Sequence, residues 1–335
     1  VLVPNITFVS DKTSSGFQLG LTSPCKIFID SGDGNLKPFD VTDFINIRFN
    51  FYFSNTIDYI AGNTLKIFAN NITSFDCSFL GLKVLNVSNS PNLQYLYCSN
   101  NQLNLATLPQ VKTSYITYEY THQLNFATTC TNGIVDLSSQ LTAMDVNDQT
   151  QTTVYTWYKT DGTALTANVD YLEDNGVFTF VKMPATAVYC QMYNAAFPEL
   201  SGENAFRTVD MTVDAVLEPS ITFVAENTGD LSFSTALQEA GKVYVDWGNG
   251  ILAPNSLTTS EATITTTNYT AGSTVKIYGN NIDRFLAPNS GMNALNINKV
   301  LPSTEIVCSF NNLNFGSLPV NDPKYGTYVY SPQNK

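Results

Sequence analysis

Apolar positions along this chain recur at two spacings, and both predict strands. From Ile45 to Phe53 the run Ile-Asn-Ile-Arg-Phe-Asn-Phe-Tyr-Phe alternates mostly at period two, as a half-buried strand does. Lys26–Ile29 does the same and stops at Asp30-Ser31-Gly32-Asp33-Gly34, a cluster of turn formers. Ala61-Gly62 leads into a further short strand, Leu65–Phe68. Short strands at this density predict a small β-sandwich. The spacing then changes. Apolar sets recur every ten or eleven residues: Ile72, Phe75, Cys77, Leu80; Leu82, Leu85, Val87, Ser90; Leu93, Leu96, Cys98, Asn101. The last set, with Leu103, spells Leu-x-x-Leu-x-Cys-x-x-Asn-x-Leu. No helix of length is predicted.

The pattern occurs twice. Residues 61–123 align with 271–333 at a constant offset of 210 without a gap, and 24 of the 63 positions are identical. Lys66-Ile67 matches Lys276-Ile277, Asn70-Asn71-Ile72 matches Asn280-Asn281-Ile282, and Cys98-Ser99 matches Cys308-Ser309. Asn101, Leu103, Leu108 and Pro109 match Asn311, Leu313, Leu318 and Pro319. Upstream, Ile6–Val9 resembles Ile221–Val224, and Lys26–Gly34 resembles Lys242–Gly250. The second copy is more degenerate where Ser303 replaces Leu93, so a less regular coil is predicted there.

Between the copies lies an unlike insert, about 124–217. Its predicted strands are Gly133–Leu137, Thr153–Lys159 before the turn Thr160-Asp161-Gly162-Thr163, Val177–Val181, Ala187–Tyr193 and Arg207–Val213. The organisation expected is therefore 1–123, a sandwich (1–68) with a short leucine-rich coil and cap strand (69–123); 124–217; and 218–335, a second sandwich (218–278) with a degenerate coil and cap strand (279–335).

Three resemblances follow from these residues. Leu93–Leu103 has the leucine-rich-repeat pattern, with coils too few to bury their own apolar face, so a sandwich must close one end and the strand Tyr115–Tyr120 the other. Asn101 and Asn311 sit where such repeats form an asparagine ladder to turn backbone groups. Asp30–Gly34 with Tyr59-Ile60-Ala61-Gly62, and Asp246–Gly250 with Tyr269-Thr270-Ala271-Gly272, resemble the polycystic-kidney-disease (PKD)-type sandwich. The first copy departs from that motif at Ser31, where the second has Trp247. The insert, with Trp157 and Cys190, resembles an immunoglobulin-like sandwich without the usual second-strand cysteine. The fold class expected is all-β: a duplicated PKD-like sandwich plus leucine-rich coil, flanking a central immunoglobulin-like sandwich. The combination is similar to secreted, surface-anchored leucine-rich-repeat proteins of Gram-negative gut and oral bacteria. That resemblance implies binding or adhesion, export, and a lipid anchor upstream of Val1.

Composition narrows the partners. Charged residues are 13% of the chain, apolar residues 43%, and the net charge is −12. Disorder needs lower hydrophobicity, and phosphate recognition needs a basic face, so no nucleic-acid partner is expected. No apolar run is long enough to span a membrane as a helix. Cys98 and Cys308 are expected in the core, and a Cys130–Cys190 disulfide is left open.

Little in the chain suggests catalysis, and none is expected. The single histidine, His122, is matched by Pro332 and reads as a surface residue. Glu173-Asp174 and Asp145/Asp148 read as solvated loop carboxylates. Asp30, Asp33, Asp246 and Asn249 are candidate Ca²⁺ ligands, although such residues after strands more often cap turn N–H groups; no metal or cofactor is expected. Tyr115, Tyr118, Tyr120, Tyr325, Tyr328 and Tyr330 are the candidate binding surface, or alternatively the caps of the coils. The expected function is non-catalytic binding of a protein or glycan at the cell surface. The alternatives are a spacer displaying another domain, or an accessory to an extracellular carbohydrate-active enzyme.

Overall fold

A computed structural model describes residues 3–42, 44–45, 50–313 and 328–330. The described residues are all-β: strands, with only two single 3-10 turns at Ser138–Gln140 and Gly202–Asn204. None of their helices is long and apolar enough to cross a membrane. The chain forms two compact units. One comprises 1–165 with 174–178 and 184–213, and the other 166–173 with 179–183 and 214–335.

The first unit begins with β1 (Ile6–Ser10), β2 (Ser14–Leu21), β3 (Cys25–Asp30), β4 (Leu36–Val41), β5 (Phe44–Ile45), β6 (Asn50–Asp58), β7 (Thr64–Phe68), β8 (Ile72–Asp76), β9 (Leu82–Asn86), β10 (Tyr95–Tyr97) and β11 (Thr117–Glu119). They make two sheets, ordered β4-β3-β7-β1-β9 and β11-β10-β8-β2-β6-β5. The alternation in Ile6–Ser10 is visible as burial on every second residue. Between the sheets Phe8, Phe17 and Phe75 pack with ring centroids 5.8–6.3 Å apart, each almost wholly buried. Each such side chain contributes about 1.5–3 kcal/mol.

The ten-to-eleven-residue sets divide between the sheets. Ile72–Asp76 is in one, Leu82–Asn86 in the other, and Tyr95–Tyr97 returns to the first. β8, β10 and β11 therefore pair in parallel, Phe75 opposite Leu96 and Leu96 opposite Tyr118. Asn101, fully buried, stitches successive turns. Its amide donates to the carbonyls of Cys77 and Cys98 at 2.9 Å and accepts from the N–H of Leu82 at 3.0 Å. Gln123 repeats this one strand later, donating to Cys98 and Tyr120 and accepting from Leu103. That rung was not foreseen, because a glutamine stands where the pattern leads one to seek asparagine.

The central segment supplies β12 (Ile134–Asp136), β13 (Thr142–Met144), β14 (Thr150–Thr152), β15 (Val154–Lys159), β16 (Tyr171–Asp174), β17 (Val177–Phe180) and β18 (Val188–Tyr193). β16 and β17 each contribute residues to both units. Glu173 and Asp174, expected in a loop, end β16 instead and are exposed. Trp157 is opposite Cys190 in the β15–β18 ladder and packs edge-on to Phe178. Cys190 is a buried thiol, so no disulfide joins it to Cys130. The strand expected at Arg207–Val213 is reduced to three isolated bridges, Phe126↔Thr208 and, against β18, Gln191↔Arg207 and Val188↔Met211. Four steps on one side face three on the other, which is a bulge. There the Thr208 hydroxyl accepts the N–H of Cys190 in place of a backbone carbonyl.

Within the first unit this segment is joined to the parallel stack. Gln140, almost fully buried, accepts from Leu105 N–H, and Glu199 N–H donates to the Tyr120 hydroxyl.

The second unit contains β19 (Ile221–Ala225), β20 (Gly229–Leu237), β21 (Gly241–Asp246), β22 (Leu252–Leu257), β23 (Ala262–Tyr269), β24 (Thr274–Tyr278), β25 (Ile282–Leu286), β26 (Met292–Ile297), β27 (Glu305–Val307) and β28 (Tyr328–Tyr330). Its sheets, β22-β21-β24-β19-β26 and β23-β20-β25-β27-β28, repeat the first unit's order strand for strand, without an equivalent of β5. Phe223, Phe233 and Phe285 repeat the aromatic triad, with centroids 5.4–6.0 Å apart. Asn311 repeats Asn101, donating to Ala287 and Cys308 and accepting from Met292. β25 pairs β27 in the same register as β8 pairs β10. The last strand is shifted by one residue: Leu96 faces Tyr118, but Ile306 faces Val329.

Candidate functional site

The candidate calcium ligands are engaged in turns. Asp30 Oδ1 accepts the N–H groups of Gly32 and Gly34, both at 2.9 Å, and its Oδ2 meets Lys66 Nζ at 2.9 Å. Burial alone would raise this carboxyl's pKa. The hydrogen bond from Lys66, the two N–H groups and the lysine charge outweigh burial and hold it below the usual carboxylate range. Asp33 Oδ1 accepts Asn35 N–H. Asp246 repeats the arrangement with Gly248, Gly250 and Lys276, the last at 3.9 Å, and Asn249 accepts Ile251 N–H. A cation at either place would have to displace a lysine ammonium. The glycines are required: Gly32 and Gly248 have φ of 90° and 97°, and a Cβ there would meet Asn63 or Ser273 at 2.8 or 2.5 Å. Among the described residues no group of three His, Cys, Asp or Glu could hold a metal ion.

The tyrosines separate. Tyr115, Tyr118 and Tyr120 come together, with ring centroids 5.3 and 4.8 Å apart, along a cleft of about 350 Å³ that Lys112, Asp145 and Glu199 also line. Tyr120 is buried against Phe197, and Tyr118 donates its hydroxyl to Pro109 O at 2.6 Å. Burial pushes the Tyr115 and Tyr120 phenols up to about 12, so both stay neutral. These rings are mainly packing. Tyr325 lies outside the described residues, and Tyr328 and Tyr330 are in β28. His122 is not on β11 but in the turn after it, exposed, with Nδ1 3.0 Å from Thr121 Oγ1. Burial raises the pKa of the Cys77, Cys98 and Cys190 thiols, which keeps them protonated and unreactive.

A different surface carries the exposed chemistry. Phe75, Leu96 and Tyr118 mark the inward row of β8, β10 and β11, so their neighbours face out. One outward row runs Gln18, Asp76, Tyr97, Glu119; the next runs Gly20, Ser74, Tyr95, Thr117. Tyr95 and Tyr97 are half-buried in this face, and Glu119 and Gln18 are exposed. Asp76 accepts Ser78 N–H, and neither Asp76 nor Glu119 is ion-paired among the described residues. The signal was present in the sequence. It lies at the positions between the leucines of Leu93-Gln94-Tyr95-Leu96-Tyr97-Cys98, where a strand must point outward.

The same face of the second unit is different. Leu286 and Val307 replace Asp76 and Tyr97. Arg284 and Glu305 replace Ser74 and Tyr95, paired at 2.9 Å, with Glu261 3.6 Å from the same guanidinium. No protein-family model, curated protein or solved structure matches the chain.

Proposed function

We propose that this chain is a non-catalytic, exported binding protein that holds a protein or glycan ligand on the outward face of the first unit's parallel stack. The observation that carries the proposal is Tyr97 between the carboxylates of Asp76 and Glu119, with Tyr95 beside it between Ser74 and Thr117, on the outward face of the sheet. Tyrosines set among hydrogen-bonding groups provide large contact area at low entropic cost. The parallel stack, its buried asparagine rungs and the turn chemistry at Asp30 and Asp246 support a leucine-rich-repeat and PKD-like ancestry, and with it export and lipid anchoring.

The test is binding of the purified chain to glycan and extracellular-matrix protein arrays, beside the double variant Tyr95→Ala, Tyr97→Ala. Binding that the variant loses by tenfold or more, at unchanged melting temperature, supports the proposal. Signal equal in both proteins sinks it. A second reading, an extracellular spacer, is favoured for the second unit alone, because Arg284 and Glu305 there satisfy each other.

A further inference from the structure

The turns closing the first unit's stack form a column of their own. Phe79, Asn100 and His122 each stand three residues after a strand, β8, β10 and β11. All three have left-handed backbones, with φ of 61°, 58° and 56°. Phe79 N–H donates to Ser99 O and Asn100 N–H to Thr121 O, both at 3.2 Å, so the turns are stacked in register. Three strands at about 4.8 Å spacing make a column about 10 Å long. Asn and His tolerate this backbone, whereas a bulky residue there is an outlier. Phe79 is 65% exposed, so packing does not explain it.

The second unit repeats the anomaly at another rung. Asn289 and Phe310 occupy neighbouring left-handed turns, with φ of 53° and 58°, and Asn289 N–H donates to Ser309 O at 2.9 Å. Phe310 is 55% exposed. By sequence Phe79 aligns with Asn289, and Phe310 with Asn100. The order is reversed, yet each unit keeps one exposed phenylalanine beside one asparagine on this edge. Common descent of a single position does not produce that; a shared requirement for the side chain does.

We infer that this turn edge binds neutral carbohydrate, with the phenylalanine ring against the apolar C–H face of a sugar and the neighbouring Asn100 amide and His122 imidazole bonded to its hydroxyls. The inference rests on the binding role proposed above and names the ligand class. One ring among an amide, an imidazole and the hydroxyls of Ser78 and Thr121 offers far less than the several hundred Å² of apolar surface that a membrane or hydrophobic protein partner needs. It matches a pyranose, which has one apolar face and a rim of hydroxyls. His122 is exposed, and with Nδ1 engaged by Thr121 its Nε2 is the ring atom left to bond a sugar hydroxyl. The adjacent ammonium, Lys12 Nζ, donates to Phe79 O, and the chain's net charge of −12 opposes an acidic sugar.

The test is affinity electrophoresis of the full chain through gels containing soluble β-glucan, mannan, xylan or galactan. Phe79→Asn and Phe310→Asn are the variants, since asparagine suits the backbone and both proteins should fold. Retardation in at least one gel, weakened tenfold or more by Phe79→Asn and abolished in the double variant, is the expected result. Retardation unchanged in the double variant, or none in any gel, overturns the inference. Binding to an array that depends on Tyr95 and Tyr97 but not on Phe79 and Phe310 overturns the edge and leaves the face; no array binding at all removes both.

Discussion

The two sandwich-plus-stack regions share a strand order, an aromatic triad and an asparagine rung, yet they fill one core position from opposite directions. In the first, Phe53 of β6 lies 5.6 Å from Phe17, and the position after Asp30 is Ser31. In the second, Trp247 lies 5.6 Å from Phe233, and the position matching Phe53 across the sheet is Ala262. A large ring over the central phenylalanine is required, but which strand supplies it is free to drift as long as the volume is conserved. The exchange leaves a trace: the Ser31 hydroxyl is buried without a hydrogen-bond partner.

The strongest way to break this equivalence is to remove the ring. Phe53→Ala should destabilise the first unit by about 3–5 kcal/mol in urea denaturation. Ser31→Trp alone should cost about 1–3 kcal/mol by overpacking. The double variant should be more stable than the sum of the two predicts, because it recreates the second unit's solution. A strictly additive cycle would show that the two positions do not share one space.

This exchange also shows what was legible beforehand. The departure at Ser31 was visible in the sequence, but its partner was not, because Phe53 and Ala262 are related by sheet register and not by the constant offset. The alternating strands and the duplication were plain, since burial on one face imposes a period on the chain. The face of Tyr95 and Tyr97 was missed for a related reason: attention to the leucines hides the positions between them. The bulge at Thr208 was invisible because one threonine hydroxyl replaces a backbone acceptor.

The asparagine rungs are where the units should agree. Asn101→Ala removes the side-chain partner of the Cys77 carbonyl and the Leu82 N–H, and Asn311→Ala that of the Ala287 carbonyl and the Ser290 and Met292 N–H groups; each should cost about 2–3 kcal/mol. Equal losses in denaturation would mark the rung as common structure. A loss confined to one copy would show that the stacks are held differently.

A smaller difference separates the turns. Lys66 is 2.9 Å from Asp30, whereas Lys276 is 3.9 Å from Asp246. Asp30's folded pKa is depressed, so its contribution is fully present above the unfolded value of about 3.9 and is lost as pH falls through the folded one. Lys66→Met removes the lysine's hydrogen bond and charge and leaves only the two glycine N–H groups against burial, which should move the Asp30 titration upward. The stability loss should then be present at pH 7 and shrink as pH drops below 4. Carboxyl-carbon NMR across that range reads the titration directly; an unmoved Asp30 would mean that the two glycine N–H groups alone set it.

The smallest effect has the opposite sign. Phe79 and Phe310 hold a left-handed backbone with exposed rings, an arrangement that costs an L-residue roughly 1–2 kcal/mol. Asparagine recovers part of that through its short polar side chain. Phe79→Asn should therefore raise stability by about 0.5–1 kcal/mol, and Phe310→Asn by a similar amount in the second unit. Asn100→Phe should lower it by as much, since it places a second ring in the same column. Melting temperatures of the three variants measure this directly. A gain at Phe79 and Phe310 means that both units retain a residue their own folding disfavours, which ties the ring to what the edge contacts. A loss at both would mean that the rings are held by packing after all, and the edge would then be structural.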